Sequence, residues 1–366
     1  MRPVAEGVKA RALALMQRAL RDGGPIADEY PLCFHDEFGG RVLALEERGE
    51  VVSACALLVR DLVVGALQVR CGLIGSVCTD PSHRGRGLAS TLLRQAEEEL
   101  THDGCMLAML WADDPRFYDQ RGWRPIGSEV DFALERAHES RLRGSSGIRA
   151  AAPDDSGAIH RLYTLHRERC ERSREETRAL LSGPGIETLV LQRSRDIVAY
   201  SCRGRGLDFA GTIHEWAGAD RDVLALVRSH LQRSRARGDS APTCLITPPT
   251  ARGLHDHLRG IGVTWTQGVL AQGKLLDAHA AAALLGSIAG PLARVGIESE
   301  LAESERDLAV SLDGPRGRAH IARHELLDLL CPARARRTSI EQLERATGLS
   351  LPALPLPLFA WGLDSI

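Results

Sequence analysis

Lysine and asparagine are nearly missing from this sequence. Its 366 residues hold two lysines, Lys9 and Lys274, and no asparagine, so every other basic residue is an arginine. Both scarce types are written in AT-rich codons, and a GC-rich genome accounts for the skew. Without asparagine there is no N-glycosylation sequon. The nine cysteines are odd in number and show no Cys-x-x-Cys spacing, which argues against a disulfide framework and a zinc site; no metal is expected. Cys55, Cys71, Cys78 and Cys202 stand in apolar runs, as small buried hydrophobes do. A net charge of −2 leaves no basic footprint for nucleic acid. The N-terminal stretch lacks the apolar core and cleavage site of a signal peptide, so the cytoplasm is the expected compartment. The uncharged runs 278–293 and 346–363 are interrupted by glycine or proline and are too broken for a membrane span.

What is present reads as an ordinary soluble globular protein, 26% charged and 44% apolar. The length predicts two to three domains, each with enough chain for its own core. Residues 5–21 have helical spacing, with Leu13, Leu15, Met16 and Leu20 for one face. Strand-like runs follow at 42–46, 51–59 and 67–78, the first two joined as a hairpin by the polar turn Glu47-Arg48-Gly49-Glu50. Residues 87–100 put Leu88, Leu92, Leu93, Ala96 and Leu100 on one helix face, and the apolar run 105–111 predicts a buried strand. Asp114-Pro115 predicts a helix start, Gly122 its end, and 123–134 a returning strand.

An Arg-, Gly- and Ser-rich stretch at 141–147 reads as a linker, after which the pattern restarts. Pro153-Asp154-Asp155 opens a helix through Ile159, Leu162 and Leu165. Strands follow at 187–192, 196–202 and 212–216, then a helix at 223–232 and a strand at 243–247. The same order of elements twice over is an internal repeat. From Leu275 the character changes to an Ala-rich helix, a charged strand pair at 308–312 and 318–321, and a helix at 323–330. The expected division is 1–143, 148–274 and 275–366. In the tail, Pro352, Pro355 and Pro357 keep the chain stiff and extended. Phe359, Trp361 and Leu363 would form an apolar patch if exposed. The tail is therefore expected to be ordered, with Gly362 permitting a turn. It would pack on the third segment or in a homo-oligomer interface, or thread into a cleft of the first segment.

The run Val77-Cys78-Thr79-Asp80-Pro81-Ser82-His83-Arg84-Gly85-Arg86-Gly87-Leu88-Ala89-Ser90 carries the chemistry. It reads as a strand, a short loop and a helix start. Gly85 and Gly87 let the backbone come close to a ligand, and the helix behind them offers unpaired N–H groups and the positive end of its dipole, a site for phosphate. Arg84 and Arg86 add positive charge at its mouth. A second signature is Phe117-Tyr118-Asp119-Gln120-Arg121-Gly122-Trp123.

On these two motifs the chain resembles the GNAT superfamily, the general-control-related N-acetyltransferases. The resemblance implies an α/β (α+β) fold class built of tandem acyl-CoA N-acyltransferase domains. The backbone of Val77, Cys78 and Thr79 would then pair with the pantetheine of acetyl-coenzyme A, and Gly85, Arg86, Gly87, Leu88, Ala89 and Ser90 would cradle its pyrophosphate. Where the family places Gln or Arg ahead of the first glycine this chain has Ser82, a tolerable departure because the contacts are mostly backbone. Tyr118 sits where the family often has its general acid, and a phenol of pKa ~10 suits a leaving thiolate. In this light the scarcity of lysine has a second reading, an enzyme sparing its own amines.

The second repeat lacks the loop. Glu215-Trp216-Ala217-Gly218-Ala219-Asp220-Arg221-Asp222 stands in its place, and two aspartates would repel a pyrophosphate. Arg203-Gly204-Arg205-Gly206 is followed by another strand rather than a helix. An intact first copy, a degenerate second and a small third domain resemble the Eis-like (enhanced intracellular survival) branch. There the third domain is sterol-carrier-like and the terminal carboxylate, Ile366 here, enters the active site as base. His255 and His257 have no further ligand nearby and read as solvated or capping side chains.

The implied reaction is acetyl transfer from acetyl-CoA to a primary amine of a small molecule or peptide by direct attack. No acid stands in 67–78, where many relatives carry a glutamate base, so the base must be Ile366 or Asp364 beside it, Asp113, Asp114 or a water relay. The competing readings are a non-catalytic acyl-CoA or lipid-binding sensor or scaffold, and a thiol-conjugate synthase resembling mycothiol synthase, whose working copy is the one broken here.

Overall fold

The computed structural model describes residues 6–366 other than 22–23, 240, 299–308 and 335–336. Helix α1 (Glu6–Leu20) buries Ala12, Leu15 and Met16, one helical face, and is followed by the single turns α2 (Ile26–Glu29) and α3 (Pro31–Phe34). Strands β1 (Arg41–Glu47), β2 (Glu50–Val64) and β3 (Leu67–Thr79) form an antiparallel meander. The expected hairpin is there: Arg48 (φ 52°) and Gly49 (φ 83°) supply the two left-handed residues of its turn. Helix α4 (Leu88–His102) lays Leu92, Leu93, Ala96 and Leu100 on this sheet, against Cys55, Leu57 and Ile74.

The buried strand β4 (Leu107–Leu110) pairs parallel to β3. The helix expected from Asp114 is short, α5 (Arg116–Asp119): Asp114 Oδ1 accepts the Arg116 N–H at 3.1 Å, and Gly122 (φ 80°) ends the turn ahead of β5 (Arg124–Leu134).

The second half runs β6 (Ile148–Ala150), α6 (Ser156–Tyr163), β7 (Glu168–Cys170), α7 (Arg174–Leu181), β8 (Glu187–Arg193), β9 (Asp196–Arg203), β10 (Thr212–Ala217), α8 (Asp220–Arg237), β11 (Thr243–Thr247), α9 (Arg252–Gly260) and β12 (Thr264–Leu275). The segment β8–β9–β10–α8–β11 repeats β1–β2–β3–α4–β4, and Leu226 of α8 packs on Leu189, Leu191 and Ala199 as α4 packs on its own strands. Helix α6 stops at Tyr163 and leaves Leu165 exposed, not on a helix face as its spacing suggested. Helix α8 outruns the expected 223–232: Asp220 and Asp222 favour its N-terminus, and Gly238 in the left-handed region closes it.

The two halves share one sheet, in the order β1-β2-β3-β4-β12-β5-β11-β10-β9-β8-β6, with β7 on the far edge of β2. Strand β12, late in the sequence, is inserted antiparallel between β4 and β5. Strand β5, from the first half, is in turn held between β12 and β11. Each half thus lends its last strand to the other.

The third segment has α10 (Ala278–Ala289), a three-stranded antiparallel sheet of β13 (Arg294–Glu298), β14 (Ala309–Gly314) and β15 (Gly317–Ala322), then α11 (Arg323–Leu330) and α12 (Arg337–Thr347). Leu308, expected to open the charged pair, lies outside the described residues. No helix among the described residues is long and apolar enough to cross a membrane.

Candidate active site

Strand β3 pairs with β4 only from Cys71–Leu107 to Leu73–Met109. Beyond that point the strands part, and a β-bulge marks the place. Ala56 and Ala54 of β2 face Gly75 and Cys78, one residue too many on β3, and Ser76 takes up the excess at φ 53°. The wedge opens into a cleft of about 1440 Å³. That exceeds the roughly 300–1,000 Å³ of a pocket for one ligand, so there is room for two reactants. Val77, Cys78, Thr79, Gly85, Gly87, Leu88, Ala89, Ser90, Tyr118 and Ile366 all line it.

Arg86 does not. Its guanidinium is turned to Glu47, at 2.6 and 3.0 Å, and holds that carboxyl below its usual range. Of the arginines that line the cleft, Arg84 and Arg121 stand by this loop, while Arg21 lies with Tyr30 and is paired with Glu29 and Asp208. Arg121 lies 3.7 Å over the Phe117 ring and donates to Ser90 Oγ at 2.9 and 2.7 Å, which fixes it beside the helix start. It stood inside the second signature but was not singled out there. Gly85 and Gly87 both have φ 77°, and Gly87 gives α4 no side-chain cap. The first N–H groups of α4 are left for an anion. Asp80 holds the preceding turn by accepting the Ser82 N–H at 2.9 Å. Part of the strand's backbone is already engaged: Ser53 Oγ donates to Cys78 O at 2.9 Å and Arg84 Nε to Thr79 O at 3.3 Å. Each carbonyl keeps a second lone pair.

Tyr118 stands on α5 between Phe117 and Trp123, edge-on to both. Burial, then the neighbouring Cys55, push its pKa up to about 12 despite Arg121. It therefore keeps its proton and has one to donate.

The opposite end of the cleft is built by segments remote in sequence: Tyr30, Leu207 to Phe209, Glu129 of β5, and Val269 to Gln272 of β12. Burial first, and then Asp131, raise Glu129 to about 8; burial raises Asp131 to about 6. Gln272 is buried with its Oε1 unpartnered. Asp113 and Asp114 line the rim, and Arg116 holds Asp114 below its usual range. Glu129 was not identified as a candidate from the sequence, because only the insertion of β12 makes its strand a cleft wall.

Both intramolecular fates expected for the tail are realised. It first packs on the third segment, where Leu356 N donates to Leu330 O at 2.8 Å. It then crosses the second half. Trp361 donates to Glu168 O at 2.9 Å and lies 4.1 Å from the His166 ring and 5.1 Å from that of Trp216. It ends in the cleft, where a Cβ on Gly75 would meet the Ile366 carboxyl carbon at 2.6 Å. Arg205 is buried against this tail, so the Arg-Gly-Arg-Gly run is structural. In the second half's degenerate loop Asp222 is paired with Arg193 at the start of α8. His255 is not solvated: it is buried, 2.7 Å from Thr247 Oγ1.

Residues 2–126 match the protein family described as acetyltransferase (GNAT) domain. No curated protein matches the chain in sequence. Among solved structures, a conserved protein of Enterococcus faecalis V583 described as a probable N-acyltransferase superposes with TM-score 0.71 at 13% identity, over 98% of this chain and 97% of its own. The GCN5-related N-acetyltransferase of Kribbella flavida gives 0.62 at 15% identity, over 100% and 99%. Eis1 of Mycobacterium abscessus gives 0.61 at 18%, over 99% and 97%. At these identities the likeness is one of fold.

Proposed function

We propose, from the match of residues 2–126 to the GNAT acetyltransferase domain, that the chain is an acyltransferase that carries an acetyl group from acetyl-CoA to a primary amine of a small molecule or peptide. The observation that carries the reading is the meeting, in one cleft, of an anion-binding helix start, a protonated phenol and a carboxylate. The pyrophosphate would lie on the N–H groups after Gly87, flanked by Arg84 and Arg121, and the pantetheine in the wedge along Val77, Cys78 and Thr79. Ile366, the last residue of the sequence, would take the proton from the incoming ammonium. The free amine then attacks the thioester carbon, the C–N bond forms, and backbone N–H groups of the bulged strand meet the oxyanion. As the C–S bond breaks, Tyr118 donates to the leaving thiolate, and the second proton shed by the new amide nitrogen returns to the phenolate through solvent. Asp113 at the rim, joined by Glu129 once it ionises above about pH 8, suits the acceptor end to a cationic amine.

The test is thioester turnover against a panel of amines, polyamines and aminoglycosides included. Release of free thiol that depends on one class of amine, with the acetylated amine recovered, is expected. Coenzyme A binding without turnover on any amine would instead make the protein a sensor.

A further inference from the structure

On the reading of Ile366 as the base, we propose that the second half is a positioning module: Arg205 and the Arg172–Asp364 pair set the register of the tail so that its carboxylate stands at Gly75.

The tail runs from one bulge to the other. Strand β10 shifts register against β9 between Ile213 and Glu215, at His214. This corresponds to the bulge at Ser76 that opens the first half's wedge. In the second half the place is taken by the chain itself: a Cβ on Gly362 would meet the His214 side chain at 2.5 Å. Four residues later Ile366 rests on Gly75. Four residues reach at most ~14 Å, and a slip of one residue moves the carboxylate by ~3.3 Å.

Apolar contacts would tolerate such a slip; the polar ones have a single register. Arg205 Nη1 donates to Gly362 O at 2.7 Å and to Ser365 O at 3.1 Å, while its Nε donates to Glu29 O at 2.9 Å. One guanidinium thus ties the tail to the first half. Arg172, Glu215 and Asp364 have fully buried side chains. Arg172 reaches Glu215 at 2.7 Å and Asp364 at 3.5 Å, and the Tyr163 hydroxyl donates to Asp364. Buried ion sets seldom stabilise a fold better than apolar packing would, and fixing register is their best-attested use.

The full-length enzyme is tested with Asp364→Asn, Arg205→Met and Arg205→Lys. The readouts are release of Ile366 by carboxypeptidase, kcat, and KM for acetyl-CoA. Wild type should resist the peptidase. Asp364→Asn and Arg205→Met should release Ile366 at least tenfold faster and lose at least tenfold in kcat with KM for acetyl-CoA unchanged; Arg205→Lys should recover part of both. If Arg205→Met does not fold, Tyr163→Phe, which takes one hydroxyl from Asp364, serves with the same readouts. Folded variants as resistant and as fast as wild type overturn the proposal. An otherwise intact enzyme ending in an Ile366 amide separates the two readings. Lost turnover supports Ile366 as base; the amide offers carboxypeptidase no free carboxylate, so positioning is read from the side-chain variants. Full turnover refutes Ile366 as base, and positioning then stands or falls on the peptidase rates alone.

Discussion

The Ile366 carboxyl group occupies the space that a side chain on Gly75 would need: a Cβ there would stand 2.6 Å from its carbon and 2.8 Å from its oxygen. Gly75→Ala therefore has to push the terminus away without touching the phosphate loop. A displacement of about 1 Å costs up to ~10²-fold in rate. The variant should lose roughly ten- to a hundredfold in kcat, with coenzyme A affinity held within about twofold by calorimetry. A folded Gly75→Ala enzyme at the wild-type rate would take the terminal carboxylate out of the chemistry.

Tyr118→Phe keeps the ring contacts with Phe117 and Trp123 and removes only the donor. Loss of a general acid costs typically ~10²–10⁴-fold. Turnover should fall in that range while acetyl-CoA still binds. Because burial holds the phenol near 12, the ratio of the two rates should stay flat from about pH 6 to about pH 9, well below its titration. A mutant within about twofold of wild type, or a ratio that varies with pH in that window, would assign Tyr118 to packing alone.

The first half was legible in the sequence because its signals are local. The Glu47–Glu50 turn, the face of α4 and the glycine pair before it each lie within one short window, and each forms where expected. Strand β12 was missed because nothing in Thr264–Leu275 announces it: its first half is exposed or half-buried, two glycines interrupt it, and its partners β4 and β5 lie far back in the chain. The assignment of Arg86 to the phosphate rested on sequence proximity, whereas Glu47, brought in by the hairpin, holds that side chain away. Glu129 and the ion set around Arg172 exist only once the strands are exchanged and the tail is in place. The path of the tail could be narrowed to a few alternatives from its apolar residues but not chosen among them, since the choice is made by Arg205, His214 and Gly75.

Gly87→Glu tests the cofactor site. Gly87 sits at φ 77°, which a side chain strains, and an added carboxylate at the helix N-terminus would repel a pyrophosphate. Coenzyme A binding should vanish, while the far-UV spectrum is kept because nothing lies within 4 Å of the new Cβ. A matched change in the second half, Gly218→Glu, is not a fair control, since a Cβ there meets Ala199 at 2.5 Å. Arg193→Ala, which takes the bidentate partner from Asp222 at the degenerate loop and leaves it only Arg221 at 3.5 Å, is the better one and should leave coenzyme A affinity unchanged. Retained coenzyme A binding by Gly87→Glu would move the cofactor elsewhere.

Glu129 links the cleft to stability through pH. Burial and Asp131 raise its pKa from 4.5 to about 8 in the folded protein. Between those values the native state binds a proton that the unfolded state has released, so stability falls as pH rises through this window and levels off above it. Glu129→Gln mimics the protonated form. It should leave the melting temperature nearly unchanged near pH 5, where the native side chain is itself protonated, and raise it at pH 9, where wild type carries a buried charge. The kinetic consequence has the opposite sign. A cationic amine gains from the ionised carboxylate, so KM for the amine should drop in wild type as pH passes about 8 and should lose that drop in Glu129→Gln, with KM for acetyl-CoA the same in both. A variant with a wild-type melting profile at pH 9 would mean that Glu129 is solvated and ionised throughout. A variant that stabilises at pH 9 yet keeps the drop in amine KM would confine Glu129 to the fold and leave recognition of the amine to Asp113 and Asp114.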